Sequence, residues 1–471
     1  MKKNTWKRLI ISILISIMLA NIGNFLQNFE DYHQNYPLGL SNSDSWSKIV
    51  KEGGWFYTPY CELVNGSIYV IGKLELEDYT NVYLHVSNFN KSGIKEWELS
   101  IKMERYSYIS YVFDSDHNMF ILNEYDSSNN ISLIKVNSSG AILFSKEFNL
   151  DLYNHDVSLV LGENNSLLIV GQYDQHPYPE KLFIMKFNNA GQFLWNTSFI
   201  VNSYYSIPPY IVKDSGYNMY LYFRNNSVYH LAKINNSGAI VWQVGLENEV
   251  DRLMVDSNDT LYVMGGMSNS RGYILKLNST GNQIKARLIE NFEAYAEDFW
   301  YLNDLLVFNR YTMSILCYDL NLDLKWNFSL SDDIAHFFYL QILLAKDSHD
   351  NVYIIHINEL GNIDLVKISS TGEFLSRIIW GGSYTEEPRS LIIDLDDNIY
   401  FICNIYFYNV WGAWHRSTIL IKNPVNGGAP PEPRRDLDVR DYFIFSVVGI
   451  ACIISPIALF SILRSNKKRI G

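Results

Sequence analysis

The chain is poor in cysteine and proline, with four and twelve in 471 residues. No C-x-x-C pair occurs, and no Cys/His spacing of a zinc site, so neither a disulfide framework nor structural zinc organises the fold. Cys452 falls in a long apolar run. Cys61, Cys317 and Cys403 sit in strand-like segments, where at most one pair can bridge and all three read as small buried hydrophobes. Also missing are G-x-S-x-G, H-E-x-x-H and the P-loop. The ten histidines are scattered: His117 and His349 fall in turns, and His155 and His176 in expected loops. No catalytic set is singled out. Positive charge is scarce too, with a formal net charge of −12. The basic residues gather at the ends (Lys2, Lys3, Lys7, Arg8 and Arg464, Lys467, Lys468, Arg469), so the body is more acidic still. Such a body excludes nucleic acid, whose phosphates require a basic footprint, and leaves cations as candidate partners.

What is abundant is apolar and aromatic. Hydrophobic residues make up 48% and aromatics 15%, with 34 tyrosines, a composition that favours pleated sheet. Two apolar runs flank the body. Residues 1–28 pair a basic start with an apolar stretch to about Leu26, as in a secretory signal. The cleavage pattern is poor, so a cleaved signal and a retained N-terminal anchor both stay open. Residues 442–463 are 22 residues without a charge, followed by the basic tail 464–471. That length crosses a bilayer as a helix, and the positive tail stays on the cytoplasmic side. The expected layout is a body outside the cell membrane, single-pass, with its C-terminus inside.

Between the ends the chain repeats. A phrase like DNIYFIC, with a central aromatic or Leu, recurs at positions 69, 120, 168, 220, 262, 306, 353 and 400. A second phrase follows each: LIKVNSSGAILF, FIMKFNNAGQFLW, HLAKINNSGAIVW, LVKISSTGEFL. Asp and Asn cap the first hairpin, and Gly supplies the tight turn of the second. The central phrase is continuously apolar, the mark of a strand covered on both faces. The fourth strand of each unit runs to Trp97, Trp195, Trp242 and, by analogy, Trp326, read as plates wedged between neighbouring units.

Four strands every 40 to 50 residues is the period of a β-propeller blade. The expectation is an all-β, eight-bladed propeller over 45–423, with seven blades as runner-up because the unit at 294–329 is the most degenerate. The eighth unit stops at TILIKN without its fourth strand. SWSKIVKEGG (45–54), with Trp46 in the Trp position, parallels FLSRIIWGG (374–382) and is expected to supply it, closing the ring. Residues 29–44 form a short lead-in. Residues 424–441, rich in Pro and Gly, read as a stiff spacer lifting the ring from the membrane. Hydrophobic helices are expected at both ends.

The pattern W…GG…DxxxNxYxxG…xLxKxNxxGxxxW resembles bacterial and archaeal propeller repeats of the SBBP type. NxSGxxxW also resembles the tryptophan-docking phrase of PQQ-type propellers and BamB-like assembly scaffolds. The resemblance covers nearly all of 45–423 and implies architecture. PQQ-dependent dehydrogenases carry a vicinal cysteine pair, which this chain lacks, so no cofactor is expected from it.

Three candidate features remain. Asp114, Asp116 and Asn118 have the D-x-D-x-N opening of a calcium loop, against the reading of a hairpin cap. Sequons occur at Asn65, Asn90, Asn130, Asn137, Asn164, Asn196, Asn225, Asn235, Asn258, Asn278 and Asn327, several of them written by the repeat itself. Trp411 and Trp414, placed in an expected loop, are candidate ligand-contact aromatics, against burial on a neighbouring blade. The expected function is a membrane-anchored extracytoplasmic scaffold binding a protein or glycan. The alternative is a propeller enzyme, glycan-active or quinoprotein-like, acting at the central funnel.

Overall fold

The computed structural model describes residues 45–424, apart from 52–53, 77–80, 105–107, 125–129, 150–152, 176–177, 202–210, 226–227, 268–269, 293–298, 302, 331–341, 359–360, 382–384 and 409–413. The chain divides into two compact units, Met1–Pro430 and Pro431–Gly471. The apolar stretches at both ends, nearly all of the linker and the basic tail lie outside the described residues. Among the described residues no helix is long and apolar enough to cross a membrane.

The described residues form eight four-stranded antiparallel sheets. Blades 1 to 7 are continuous in sequence: 54–103, 108–149, 153–200, 211–246, 252–290, 299–329 and 343–380. Blade 8 takes three strands from 385–422 and its outer strand from Trp46–Lys51. The registers Trp46↔Lys422 and Ser47↔Ile421 show the closure the repeat called for. The runner-up of seven fails because the degenerate sixth unit is a full blade. There Asp319 Oδ1 accepts from the Asn321 and Asp323 amides at 2.8 and 2.9 Å, as Asn does in the other hairpins. Leu322 takes the glycine's place at φ +62° and is fully buried.

Strand order explains the burial. In every blade the second and third strands are interior, and in blade 2 they are nearly all buried, as in Met119–Glu124 and Asn130–Val136. The fourth alternates exposed and half-buried residues, as an edge strand must. Eight apolar clusters each straddle two successive blades. One joins Tyr400, Ile402 and Leu420 of blade 8 to Phe56, Ile68 and Val70 of blade 1. Neither face of a sheet is buried by its own blade, so only the ring removes both from water.

The docking aromatics sharpen the expectation for the tryptophans. They pack against the clusters between successive blades, Trp326 within one and Trp46, Trp97, Trp195 and Trp242 against the others. Trp97 is half-buried at the rim, its indole N–H donating to the Ser138 carbonyl of blade 2 at 2.9 Å. Trp46, Trp242 and Trp326 donate likewise to Lys91, Ser279 and Ser370 of the following blade, at 3.2, 3.0 and 3.0 Å. The ring lies on the turn glycine: a Cβ at Gly140 would stand 2.7 Å from Trp97. Gly140 also has φ +84°, whereas Gly361 has φ +82° and nothing near a Cβ. The pair separates the two demands. Gly361→Ala should cost about 1 kcal/mol for the left-handed backbone. Gly140→Ala should add about 1–3 kcal/mol for displacing the indole. Equilibrium urea unfolding of both variants checks this; equal costs would remove the docking contribution.

Candidate functional site

The first strands of the blades run side by side around the axis, blade 2 touching blade 3, blade 4 touching blade 5, blades 7 and 8 touching, and blade 8 touching blade 1. Where they approach their first hairpins, those of blades 1 to 5 line an open cavity of about 580 Å³. Leu159, Ile211 and Val255 give it apolar walls, and Glu62, Tyr111 and Lys213 give it polarity. Burial pushes the Glu62 carboxyl up, and a hydrogen bond with the Tyr111 hydroxyl partly offsets it. Burial pushes the Tyr111 phenol up as well, reinforced by the Glu62 charge. Lys213 donates to the Leu161 carbonyl at 2.7 Å, and desolvation lowers its pKa. The size is that of a small-molecule or side-chain recess, with few polar groups to orient an occupant. Sequence reading missed these three residues. For Glu62 and Lys213 the signal was a charge breaking an apolar first strand, in CELV (61–64) and IVKD (211–214).

At the hairpin end of the strands the chemistry-bearing residues are tied to each other. In blades 2, 4 and 7 the Asp that opens the first hairpin meets the Lys of the third strand: Asp114–Lys135 at 3.1 Å, Asp214–Lys233 at 2.8 Å and Asp347–Lys367 at 3.0 Å. Each ammonium also lies over the aromatic of its own second strand, 4.5 Å from Phe120, 4.9 Å from Tyr220 and 4.8 Å from Tyr353. Burial alone would raise the Asp214 carboxyl, but hydrogen bonds from Lys233 and Asn218 outweigh it and hold it below the ordinary carboxylate value. The same balance lowers Asp114, Asp347 and Asp394.

These contacts bear on the calcium candidates. Asp114 Oδ1 accepts from the Asp116 and Asn118 amides and from Asn118 Nδ2, at 3.0, 2.8 and 3.1 Å, and Oδ2 faces Lys135. Asp116 is exposed. A carboxylate already capped by amides and paired with an ammonium fits a hairpin cap better than a calcium ligand, which needs several free oxygens. Asp347, His349 and Asp397 also converge, with His349 Nδ1 3.3 Å from Asp397 Oδ2. Here too the oxygens are engaged: Ser348 donates its amide and hydroxyl to Asp397 at 2.7 and 2.8 Å. The same clasp joins Ser215 of blade 4 to Asp259 of blade 5 at 2.7 and 2.6 Å.

Other candidates fall as follows. Cys61, Cys317 and Cys403 are free and buried, and desolvation pushes the Cys317 thiol up to about 12. Trp414 opens the strand Trp414–Lys422, opposite Tyr408, rather than lying in a loop; the strands outrun the repeat phrase. Trp411 lies outside the described residues, as does His176. His155 is in the strand Tyr153–Leu161, not a loop. Among the sequons, Asn65, Asn164, Asn196, Asn258 and Asn327 are exposed, and Asn90, Asn130, Asn137, Asn225, Asn235 and Asn278 are half-buried. The asparagines that open repeat turns spend their side-chain oxygen on the turn, Asn137 Oδ1 accepting from the Ala141 amide at 2.9 Å.

No protein-family model and no curated protein matches the sequence. The chain is similar to several solved structures. A protein of unknown function from Bacteroides caccae is 12% identical, with a TM-score of 0.34 over 72% of this chain and 94% of that one. A eukaryotic initiation factor is 10% identical, with a TM-score of 0.44 over 69% and 78%. BBS1N, in complex with ARL6DN, is 11% identical, with a TM-score of 0.39 over 82% and 98%. At such values the likenesses carry no argument about activity, and the propeller rests on the eight sheets themselves.

The lowered aspartates set a pH dependence. A carboxyl whose pKa is lower folded than unfolded stabilises fully above its unfolded value and loses that contribution as pH falls through the folded one. Urea midpoints should hold from neutral pH to about 4 and fall below it. At neutral pH, Asp214→Ala leaves Lys233 buried and unpaired and should cost on the order of 3 kcal/mol. A cost near zero would show that the pair is not structural.

Proposed function

We propose that the protein is a membrane-anchored, extracytoplasmic propeller that works as a binding scaffold for a protein or glycan. The observation that carries the reading is the axial cavity: apolar walls with a carboxyl, a phenol and an ammonium at one mouth, set in a ring where hairpin-end aspartates of blades 2, 4 and 7 are paired with lysines of their own blades. The anchor is the uncharged stretch 442–463 with its basic tail, and the exposed sequons suit an exported surface. One observation favours the alternative, an enzyme acting at the funnel: burial pushes Glu62 toward the range of a general acid.

The test presents the full chain in detergent to arrayed envelope glycans and peptides, beside Glu62→Gln and Lys213→Met. Retention that weakens about ten-fold or more in either variant, the loss of one charge-assisted hydrogen bond, supports the scaffold. Retention unchanged in both variants removes the cavity from recognition. Turnover of a retained glycan, abolished by Glu62→Gln, replaces the scaffold with the enzyme.

A further inference from the structure

The outer strand of each blade leaves one edge of its sheet unpaired, and most of these strands carry charged residues, which discourage pairing with another chain. Blade 3 differs. Its outer strand, Phe193–Ile200 (FLWNTSFI), has no charged residue, and Phe193, Leu194 and Ile200 are half or more exposed. The outer strand of blade 4, Ile240–Leu246, is uncharged too, but past Val241 its exposed residues are Gln243 and Gly245, which offer a partner no apolar surface. An open, uncharged, apolar edge is a template for another strand. At the centre of the blade 3 edge stands Asn196, in the sequon Asn196-Thr197-Ser198.

The sequons differ in the state of their hydroxyl, the group that makes an asparagine an acceptor. In the turns of the repeat it is tied up: Ser139, Ser237 and Thr280 donate to Oδ1 of Asn137, Asn235 and Asn278 at 2.8, 2.7 and 2.8 Å. In the sequons of Asn130 and Asn164 it is buried, as Ser132 and Ser166. On the outer strands of blades 3 and 6 it is neither. Asn196 and Ser198 are exposed, as are Asn327 and Ser329, and residues two apart share one face of a strand. On the other face Thr197 lies near Gly238 of blade 4, and Phe328 packs on the cluster between blades 6 and 7. We propose that Asn196 and Asn327 carry N-linked glycans, and that the one at Asn196 covers the open edge of blade 3. This rests on reading the body as extracytoplasmic. The step joins asparagine Nδ2 to the anomeric carbon of a glycosyl diphosphate donor, breaks that carbon's bond to the diphosphate oxygen, and releases the diphosphate with one amide proton. An oligosaccharide at Asn196, midway along the strand and opposite Met185, sweeps across the place a further strand would take, about 4.8 Å away.

The experiment purifies the full chain from the cells that make it and maps its glycopeptides by electron-transfer fragmentation, which keeps a sugar on its residue. Sugar mass at Asn196 and Asn327, with the turn sequons bare, is the expected result. Sugar at Asn137, Asn235 or Asn278 overturns the selection. A membrane-impermeant amine reagent on intact cells reads export through the exposed Lys48. Bare Asn196 and Asn327 in protein that this reagent labels overturn the glycans and leave the extracytoplasmic reading standing. Protein that it does not label overturns that reading, and the glycans with it. The edge is tested by Ser198→Ala, which removes the sequon and keeps Asn196. In detergent its sedimenting mass should at least double over that of the wild type, whereas Asn196→Lys, with a charge in place of the sugar, should sediment as the wild type does. Unchanged sedimentation of Ser198→Ala, or association of Asn196→Lys to the same extent, overturns the covering of the edge.

Discussion

The ring depends on one contact made repeatedly, an aromatic ring from one blade laid on the bare backbone of the next. Trp46, Trp97, Phe144, Trp195, Trp242 and Trp326 each cover a turn glycine of the following blade. The contact lies between sheets, so it sets the angle of the seam as well as adding buried area. Glycine is required twice there, by the left-handed turn and by the approach of the ring. Where the partner changes, the device changes with it. At the seam between blades 5 and 6 the turn carries Leu322, and Lys285 reaches Asp323 at 2.8 Å instead of an indole reaching a carbonyl.

Much of this was legible before any coordinates, because the repeat states each blade eight times with errors in different places. Strand order, the apolar second strand, the hairpin chemistry and closure by 45–51 follow from local periodicity. What the repeat does not state is how blades meet. Glu62 and Tyr111 belong to different blades and become partners only once the first strands crowd the axis. The Ser215–Asp259 clasp is invisible for the same reason. The D-x-D-x-N spacing of 114–118 also serves two chemistries. A lysine 21 residues away, not the motif, distinguishes them.

The two ends of the strands do different work. The hairpin end is uniform, held by aspartate, lysine and docking aromatics in blade after blade. At the other end the connections between blades vary, from two residues (52–53) to thirteen (330–342). Variation is tolerated where no neighbouring blade depends on the backbone. The same division explains why charge is plentiful yet much of it is paired: the acidic hairpins carry their own counter-ions.

The closing strand has a consequence for synthesis. Residues 46–51 are made among the first, but their partner Trp414–Lys422 is made among the last. Until that partner emerges, the early segment has no sheet to join, and blade 8 later presents an open edge of unpaired amides until the segment returns. Assembly of the ring is thus gated by completion of the chain. A truncated or stalled product would carry both halves of an unmade seam, each able to capture the complement of another molecule.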